Sequence, residues 1–182
     1  FEEYFNTKTK NIIDTIVYSL SDKSTRRFIW AEICFLHLWW KQADSEMRER
    51  LRRLVVETKQ LELVTGGWVM TDEANTYYTA MIEQMIEGHD WIRANVDEWT
   101  QPSHGWSIDP FGYSPTMAYL LKRMNFRGMV IQRVHYHLKS YLNSERSFEF
   151  IWRQSWSTAL NENSDIFCHV MPYDHYDVVR EK

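Results

Sequence analysis

Gly105-Trp106-Ser107-Ile108-Asp109-Pro110-Phe111-Gly112-Tyr113-Ser114-Pro115 is the stretch whose reading decides the fold. A short apolar run closes on Asp-Pro, passes through Gly112 and meets Ser114-Pro115, a pair suited to a helix N-cap and first helical position. The stretch reads as a β-to-α turn, and turns at the carboxyl ends of parallel strands are where α/β proteins build their sites. Asp109 is therefore the leading candidate for chemistry. The spacing alone is a weak signal, because an aspartate after a strand also serves as a turn former or cap.

The pattern extends in both directions from this turn. Ile12, Ile13, Ile16, Val17 and Leu20 recur at helical spacing, and residues 27–32 read as a short buried strand. Asp44-Ser45 caps a helix with the apolar face Met47, Leu51, Leu54 and Val55. Residues 61–65 form the next strand, stopped by Gly66-Gly67. The longest helical pattern carries Tyr77, Met81, Met85, Ile92 and Val96 on one side, widened by Tyr78, Ile82 and Ile86, and ends before Pro102. A strand at 106–109, a helix at 114–124 and a strand at 128–133 follow. Two strands, 148–153 and 165–171, are joined by a polar loop at 155–164. This alternation predicts an α/β fold with right-handed crossovers and a mostly parallel sheet. The strand ends would bring Glu32, Gly66-Gly67-Trp68, Asp109, Arg133 and Met171-Pro172-Tyr173 to one rim. Such a rim of carboxylates, an arginine and aromatics suits a neutral polyhydroxylated ligand.

Composition narrows the function classes. The chain has 182 residues, the size of one domain, and carries 21 Lys plus Arg against 25 Asp plus Glu, a formal charge of −4. That balance gives no basic field for a nucleic-acid backbone. Aromatic residues make up 15% of the chain, so some rings are expected to line a groove while most pack in the core. The run Arg48-Glu49-Arg50-Leu51-Arg52-Arg53 is broken by Glu49 and Leu51 and reads as a solvated helix face. Cys34 and Cys168 sit in apolar segments and are expected to be buried free thiols. Apolar stretches fall far short of the ~20 residues of a membrane span, so no membrane contact is expected from this segment. Phe1-Glu2-Glu3 has no signal-peptide character. Nothing in the sequence specifies an oligomer.

Other constellations compete weakly. His135-Tyr136-His137 follows a strand and could place two imidazoles together as metal ligands, but no third ligand lies near in sequence. His37, His89 and His104 read as structural histidines, while His169 and His175 lie near the end of the last strand, where either could reach a ligand. Asp72-Glu73 looks like an acid/base pair, yet at a helix start such residues do not face each other and serve the helix dipole instead. No phosphate loop, dinucleotide fingerprint, nucleophile elbow or zinc-protease motif is present.

Several phrases, read together, resemble glycoside hydrolase family 38, over nearly the whole chain. They are residues 66–75 (Gly-Gly-Trp-Val-Met-Thr-Asp-Glu-Ala-Asn), Ile86-Glu87-Gly88-His89, residues 108–114, Ile131-Gln132-Arg133-Val134-His135-Tyr136 and Trp152-Arg153-Gln154. Within the family the wording around Gln132 to Tyr136 and His169 to Pro172 is similar to the Golgi branch and less so to the lysosomal one. The resemblance implies that residues 1–182 are a fragment of the N-terminal catalytic domain of a larger glycosidase, part of a mostly parallel, seven-stranded, barrel-like α/β domain.

It also implies a retaining α-mannosidase with one zinc ion, acting on mannose-containing N-glycans in the Golgi lumen. Asp109 would be both nucleophile and zinc ligand. Phe111 would pack near the sugar, Arg133 would hold the nucleophile, and Tyr176 would bind the reacting mannose and its neighbouring branch. The remaining zinc ligands and the acid/base carboxyl are expected outside this segment, which by itself should be inactive. Residues 173–180 depart from the branch pattern of two tyrosines, one residue apart, followed by Pro-His: Asp174 replaces one aromatic and Arg180 the histidine. Two other readings remain: a glycan-binding homologue without catalysis, and a metal-dependent polysaccharide deacetylase using His135 and His137.

Overall fold

In the computed structural model, which describes residues 1–154 and 164–172, the chain divides into two compact units. The first comprises residues 1–70 and 79–102, the second residues 71–78 and 103–182. Parallel strands alternate with helices, as expected for an α/β fold.

The first unit opens on a short helix α1 (Glu2–Tyr4), a π-helical stretch (Phe5–Thr9) and α2 (Lys10–Asp22). Ile13, Ile16, Val17 and Leu20 of α2 are buried, as their spacing predicts. Strand β1 (Phe28–Trp30) pairs in parallel with β2 (Leu61–Leu63), Ile29 opposite Glu62. Between them lie α3 (Ile33–Gln42) and α4 (Ser45–Val56). The Asp44 carboxylate caps α4 by accepting the Met47 N–H at 2.8 Å, and the buried residues are Met47, Leu51, Leu54 and Val55, the four the pattern selects. The core joins these helices and strands to Trp91, Ile92 and Val96 of the long helix and its end. Trp39, almost fully buried, donates its indole N–H to Asp14 at 2.7 Å, so its polar atom is satisfied inside the core.

The basic run is less solvated than its charges suggest. Arg48 and Arg52 lie over the Trp40 ring at 5.6 and 5.0 Å, and their guanidinium N–H groups donate to the Trp40 and Asn95 carbonyls. Arg50 pairs with Glu46 one turn away and also lies over a ring, that of Tyr18 at 5.7 Å, whereas the more exposed Arg53, beside Glu57, follows the solvated pattern.

Helix α5 (Tyr78–Asn95) is the longest in the chain's described residues, but its stripe is narrower than predicted. Met81, Met85, Trp91 and Ile92 are buried, whereas Tyr77, Tyr78 and Ile86 are exposed. The reason is close backbone packing around Gly88. A Cβ there would lie 2.1 Å from the Gly66 carbonyl oxygen and 2.8 Å from Gly67 Cα, so the helix rests directly on the glycine turn after β2.

The second unit holds a four-stranded sheet in the order β3 (His104–Ser107), β4 (Gly128–Ile131), β6 (Ile166–Val170), β5 (Glu149–Trp152). The β3–β4 and β4–β6 pairs are parallel, with Trp106 opposite Val130 and Val130 opposite His169. The β5–β6 pair is antiparallel. Between β3 and β4 runs α6 (Pro115–Arg123), where the Ser114 hydroxyl accepts the Thr116 N–H at 3.1 Å and Pro115 takes the first helical position. Gly105 leaves room for that helix: a Cβ would meet Leu121 at 2.8 Å.

Three expectations need correction here. Helix α7 (Tyr136–Glu145) was not foreseen, because its buried residues are Lys139 and Leu142 while Tyr136, Leu138 and Tyr141 are exposed, which leaves no apolar stripe. Strand β3 ends at Ser107, two residues before the predicted boundary, so Asp109 stands in the turn beyond it. Asp72 and Glu73 do not start a helix. Residues 71–78 form a braced turn in which Asp72 accepts the Ala74 N–H and Asn75 accepts the Tyr77 N–H, both at 3.0 Å.

Cys34 and Cys168 are free, buried thiols, and burial pushes both up to about 12, so neither is a nucleophile at neutral pH.

Candidate active site

Ser107 closes β3, and the chain turns through Asp109, Pro110, Phe111 and Gly112 before Ser114 starts α6. Gly112 makes the reversal possible with φ +103°, a conformation that residues with side chains rarely adopt. Asp109 and Phe111 stand out from the turn, the Phe111 residue 88% exposed and the Asp109 side chain 64% exposed.

Arg133, two residues past the end of β4, reaches them both. Its Nη2 donates to Asp109 Oδ1 at 2.7 Å, and its guanidinium carbon lies 4.8 Å from the centre of the Phe111 ring. The parallel pairing of β3 with β4 brings these residues to the same end of the sheet, although 24 positions separate them in sequence. The guanidinium thus donates to a carboxylate while lying over an aromatic ring.

Tyr113 fastens the turn to β4. Its hydroxyl oxygen accepts the backbone N–H groups of Gln132 and of Arg133, each at 2.9 Å. Burial pushes this phenol above its ordinary range, so it stays protonated. Glu73 fastens the turn at its two ends. One carboxylate oxygen accepts the Ser114 N–H at 2.5 Å and the other accepts the Ser107 hydroxyl at 3.4 Å. Burial pushes the Glu73 carboxyl up to about 7, opposed by these two hydrogen bonds and reinforced by the Asp72 charge.

Beside Arg133 the second unit contains an apolar cavity of about 530 Å³, lined by Tyr113, Val134, Leu138, Phe150 and Trp152 among others. A second, more polar hollow of about 500 Å³ includes Phe111, Gln132, Arg133, His135 and Tyr136. Asp109, Phe111 and Arg133 are therefore assembled as a group, with open space beside them. Tyr176 and His175 lie outside the described residues.

The histidine pair serves a different end. His135 is the N-cap of α7, its Nδ1 accepting the His137 N–H at 3.3 Å, and the two rings are stacked 5.3 Å apart. Among the described residues, no group of three or more His, Cys, Asp or Glu side chains is disposed to hold a metal ion. His169 hydrogen-bonds Glu149 across the antiparallel pair at 2.7 Å, and His89 contacts the Thr65 carbonyl at 2.9 Å. Burial lowers the His89 pKa, as suits a neutral structural imidazole.

Sequence reasoning missed Glu73 and Tyr113 as parts of this assembly. The Asp72–Ala74 and Asn75–Tyr77 spacing carried the turn signal that separates Glu73 from a helix start. Nothing in the pattern distinguishes the Tyr113 hydroxyl from an ordinary loop tyrosine.

Comparison with known proteins places the chain in a family. The glycosyl hydrolases family 38 N-terminal domain matches residues 1–181. Alpha-mannosidase 2 of Rattus norvegicus is 48% identical over 98% of this chain, and alpha-mannosidase 2 of Arabidopsis thaliana is 50% identical over 97%. The chain spans 15% of the length of each of these relatives. Among solved structures, an alpha-mannosidase from Enterococcus faecalis V583 superposes with a TM-score of 0.70 at 14% identity, covering 94% of this chain and 18% of the other. The 4-alpha-glucanotransferase of Thermococcus litoralis does so with a TM-score of 0.64 at 14% identity, covering 85% and 22%. At those identities the likeness is one of fold.

Proposed function

Because the chain belongs to glycosyl hydrolase family 38, we propose that it is the nucleophile-bearing segment of a retaining α-mannosidase that removes mannose from N-linked glycans. The observation that carries the reading is the contact of Arg133 with an exposed Asp109 at the carboxyl end of a parallel strand, beside open space.

In this reading the Asp109 carboxylate attacks the anomeric carbon of mannose. The bond to the aglycone oxygen breaks, that oxygen takes a proton from a second carboxyl, and a mannosyl ester forms on Asp109. Water, deprotonated by the same second carboxyl, then attacks the anomeric carbon, the bond to the Asp109 oxygen breaks, and mannose leaves with retained configuration. In retaining enzymes the two carboxyl groups stand roughly 5 Å apart. We assign that second carboxyl to sequence outside this chain.

Arg133 aims the Asp109 carboxylate by donating to Oδ1 in a charge-assisted hydrogen bond. Phe111, broadly exposed, offers a ring to the apolar face of the sugar. We assign the same kind of role to Tyr176, which lies outside the described residues.

We further assign Asp109 as one ligand of a single zinc ion. An exposed hard carboxylate is a suitable donor, but the described residues do not gather a closed set, so further ligands would come from elsewhere. When bound, such an ion supplies orientation of sugar hydroxyls and stabilisation of developing charge. A location in the Golgi lumen accords with N-glycan trimming. None of the described helices is long and apolar enough to cross a membrane.

The test is to incubate the full-length protein with a fluorinated mannosyl fluoride and locate the adduct by peptide mass spectrometry. A mannosyl ester on Asp109 is expected. An ester on another residue, or none in folded, zinc-loaded protein, overturns the reading and favours glycan binding without catalysis or deacetylation.

A further inference from the structure

The turn that carries Asp109 is held by a residue from a distant part of the sequence. Residues 71–78 lie in sequence between β2 and α5, elements of the first unit, yet they belong to the second unit. Their own turn is self-braced by Asp72 and Asn75, which fixes the backbone that presents Glu73. From there Glu73 reaches both ends of the turn: the Ser107 hydroxyl, where β3 stops, and the Ser114 N–H, where α6 starts.

We propose that Glu73 is the positioning residue of the nucleophile turn, clasping Ser107 and Ser114 so that Asp109 and Phe111 are held at a fixed angle to Arg133. The inference rests on the reading of Asp109 as the nucleophile. The chemistry suits the task. The Ser114 N–H donates to Oε2, and the Ser107 hydroxyl can donate to an ionised Glu73 carboxylate or accept from a protonated one, so one side chain can hold both ends in either state. The Ser114 N–H also lies at the amino end of α6, where a negative charge is favoured by the helix dipole. Glu73 does not act as the general acid, because both oxygens are engaged by the scaffold itself.

The experiment uses the full-length protein and aryl α-mannosides with good and poor leaving groups, and measures in parallel the rate of mannosyl ester formation on Asp109. Glu73→Ala is expected to lower kcat about a hundredfold, the scale of a misplacement near 1 Å, with KM within about twofold. The loss should be the same for both leaving groups. Glu73→Gln, which keeps an acceptor but no charge, should lose only about tenfold. Ser107→Ala should lose about threefold in the wild-type background and nothing further in Glu73→Gln.

Three results overturn the inference: unchanged kcat in Glu73→Ala, a loss confined to KM, or a loss that grows with poorer leaving groups and is rescued by azide, which would make Glu73 the acid. Should Glu73→Ala fail to fold, Glu73→Gln and Ser107→Ala decide by the same criteria. The two readings fail separately. If the wild-type protein forms no ester on Asp109, the nucleophile assignment falls; if the ester forms equally fast in wild-type and Glu73 variants, only this inference falls.

Discussion

The turns after β2 and after β3 both follow a parallel strand, both carry glycine and both belong to motif-rich stretches, yet they are built for opposite ends. After β2, Gly66 and Gly67 are pressed against α5, where even the Cβ of an alanine at Gly88 would strike the Gly66 carbonyl. After β3, Gly112 has nothing within 4 Å of where its Cβ would stand, and glycine is needed there for its φ of +103°. Gly66 too has a positive φ, +69°, so the first turn is specified by lack of room as well as by backbone conformation, the second by backbone conformation alone. The first surrenders its surface to packing; the second keeps Asp109 and Phe111 exposed. Sequence motifs of similar density therefore mark either a close approach of backbones or a reactive group, and only the three-dimensional surroundings tell the two apart.

The contrast breaks most sharply at Asp109. Asp109→Asn is expected to lower turnover at least about a thousandfold, as loss of a nucleophile does. The Asp109–Arg133 pair is largely exposed, so thermal unfolding should show a stability change within about 1 kcal/mol. Gly88→Ala should do the reverse. Its clash with rigid backbone should cost about 1–3 kcal/mol, seen as a lower unfolding midpoint, while turnover per folded molecule stays near that of the wild type. Gly112→Ala falls between them. It should cost about 1 kcal/mol of stability through its backbone angle alone, together with a measurable loss of kcat because the turn carries Asp109.

A subtler separation comes from pH. Burial raises the folded-state pKa of Glu73 from 4.5 to about 7, so between those values the native protein holds a proton that the unfolded chain has released. Stability from this group is therefore lost as pH rises from about 4.5 through 7. The charged and titratable groups coupled to it are Asp72, Tyr113 and Cys168. The last two stay neutral across this range, so the slope belongs chiefly to Glu73. Calorimetry of Glu73→Gln should show the midpoint difference, variant minus wild type, rising across the window; a flat difference contradicts the assignment.

How much of this was legible in the sequence depends on the range of the interactions. The cap and buried face of α4 are local, and Asp44, Met47, Leu51, Leu54 and Val55 occupy the roles their spacing assigns. Asp109 and Arg133 stand out in the sequence because strand ends in a parallel sheet converge, and Phe111 because of the family resemblance; the pairing of β3 with β4 brings the first two together. Glu73 was misread because its partners lie 34 and 41 residues away, beyond any local pattern. Arg48 and Arg52 were misread because their charge hid the aliphatic and planar surfaces that cover Trp40.

The Tyr113 hydroxyl has one more consequence. Because a single oxygen receives two successive amides at the end of β4, neither can be released to solvent without disturbing the other's acceptor. In hydrogen exchange Gln132 and Arg133 should then behave as one opening event with a shared rate. A stretch of chain that diagrams draw as a loop thus gains the cooperativity of a small folding unit, governed by the placement of one phenol oxygen.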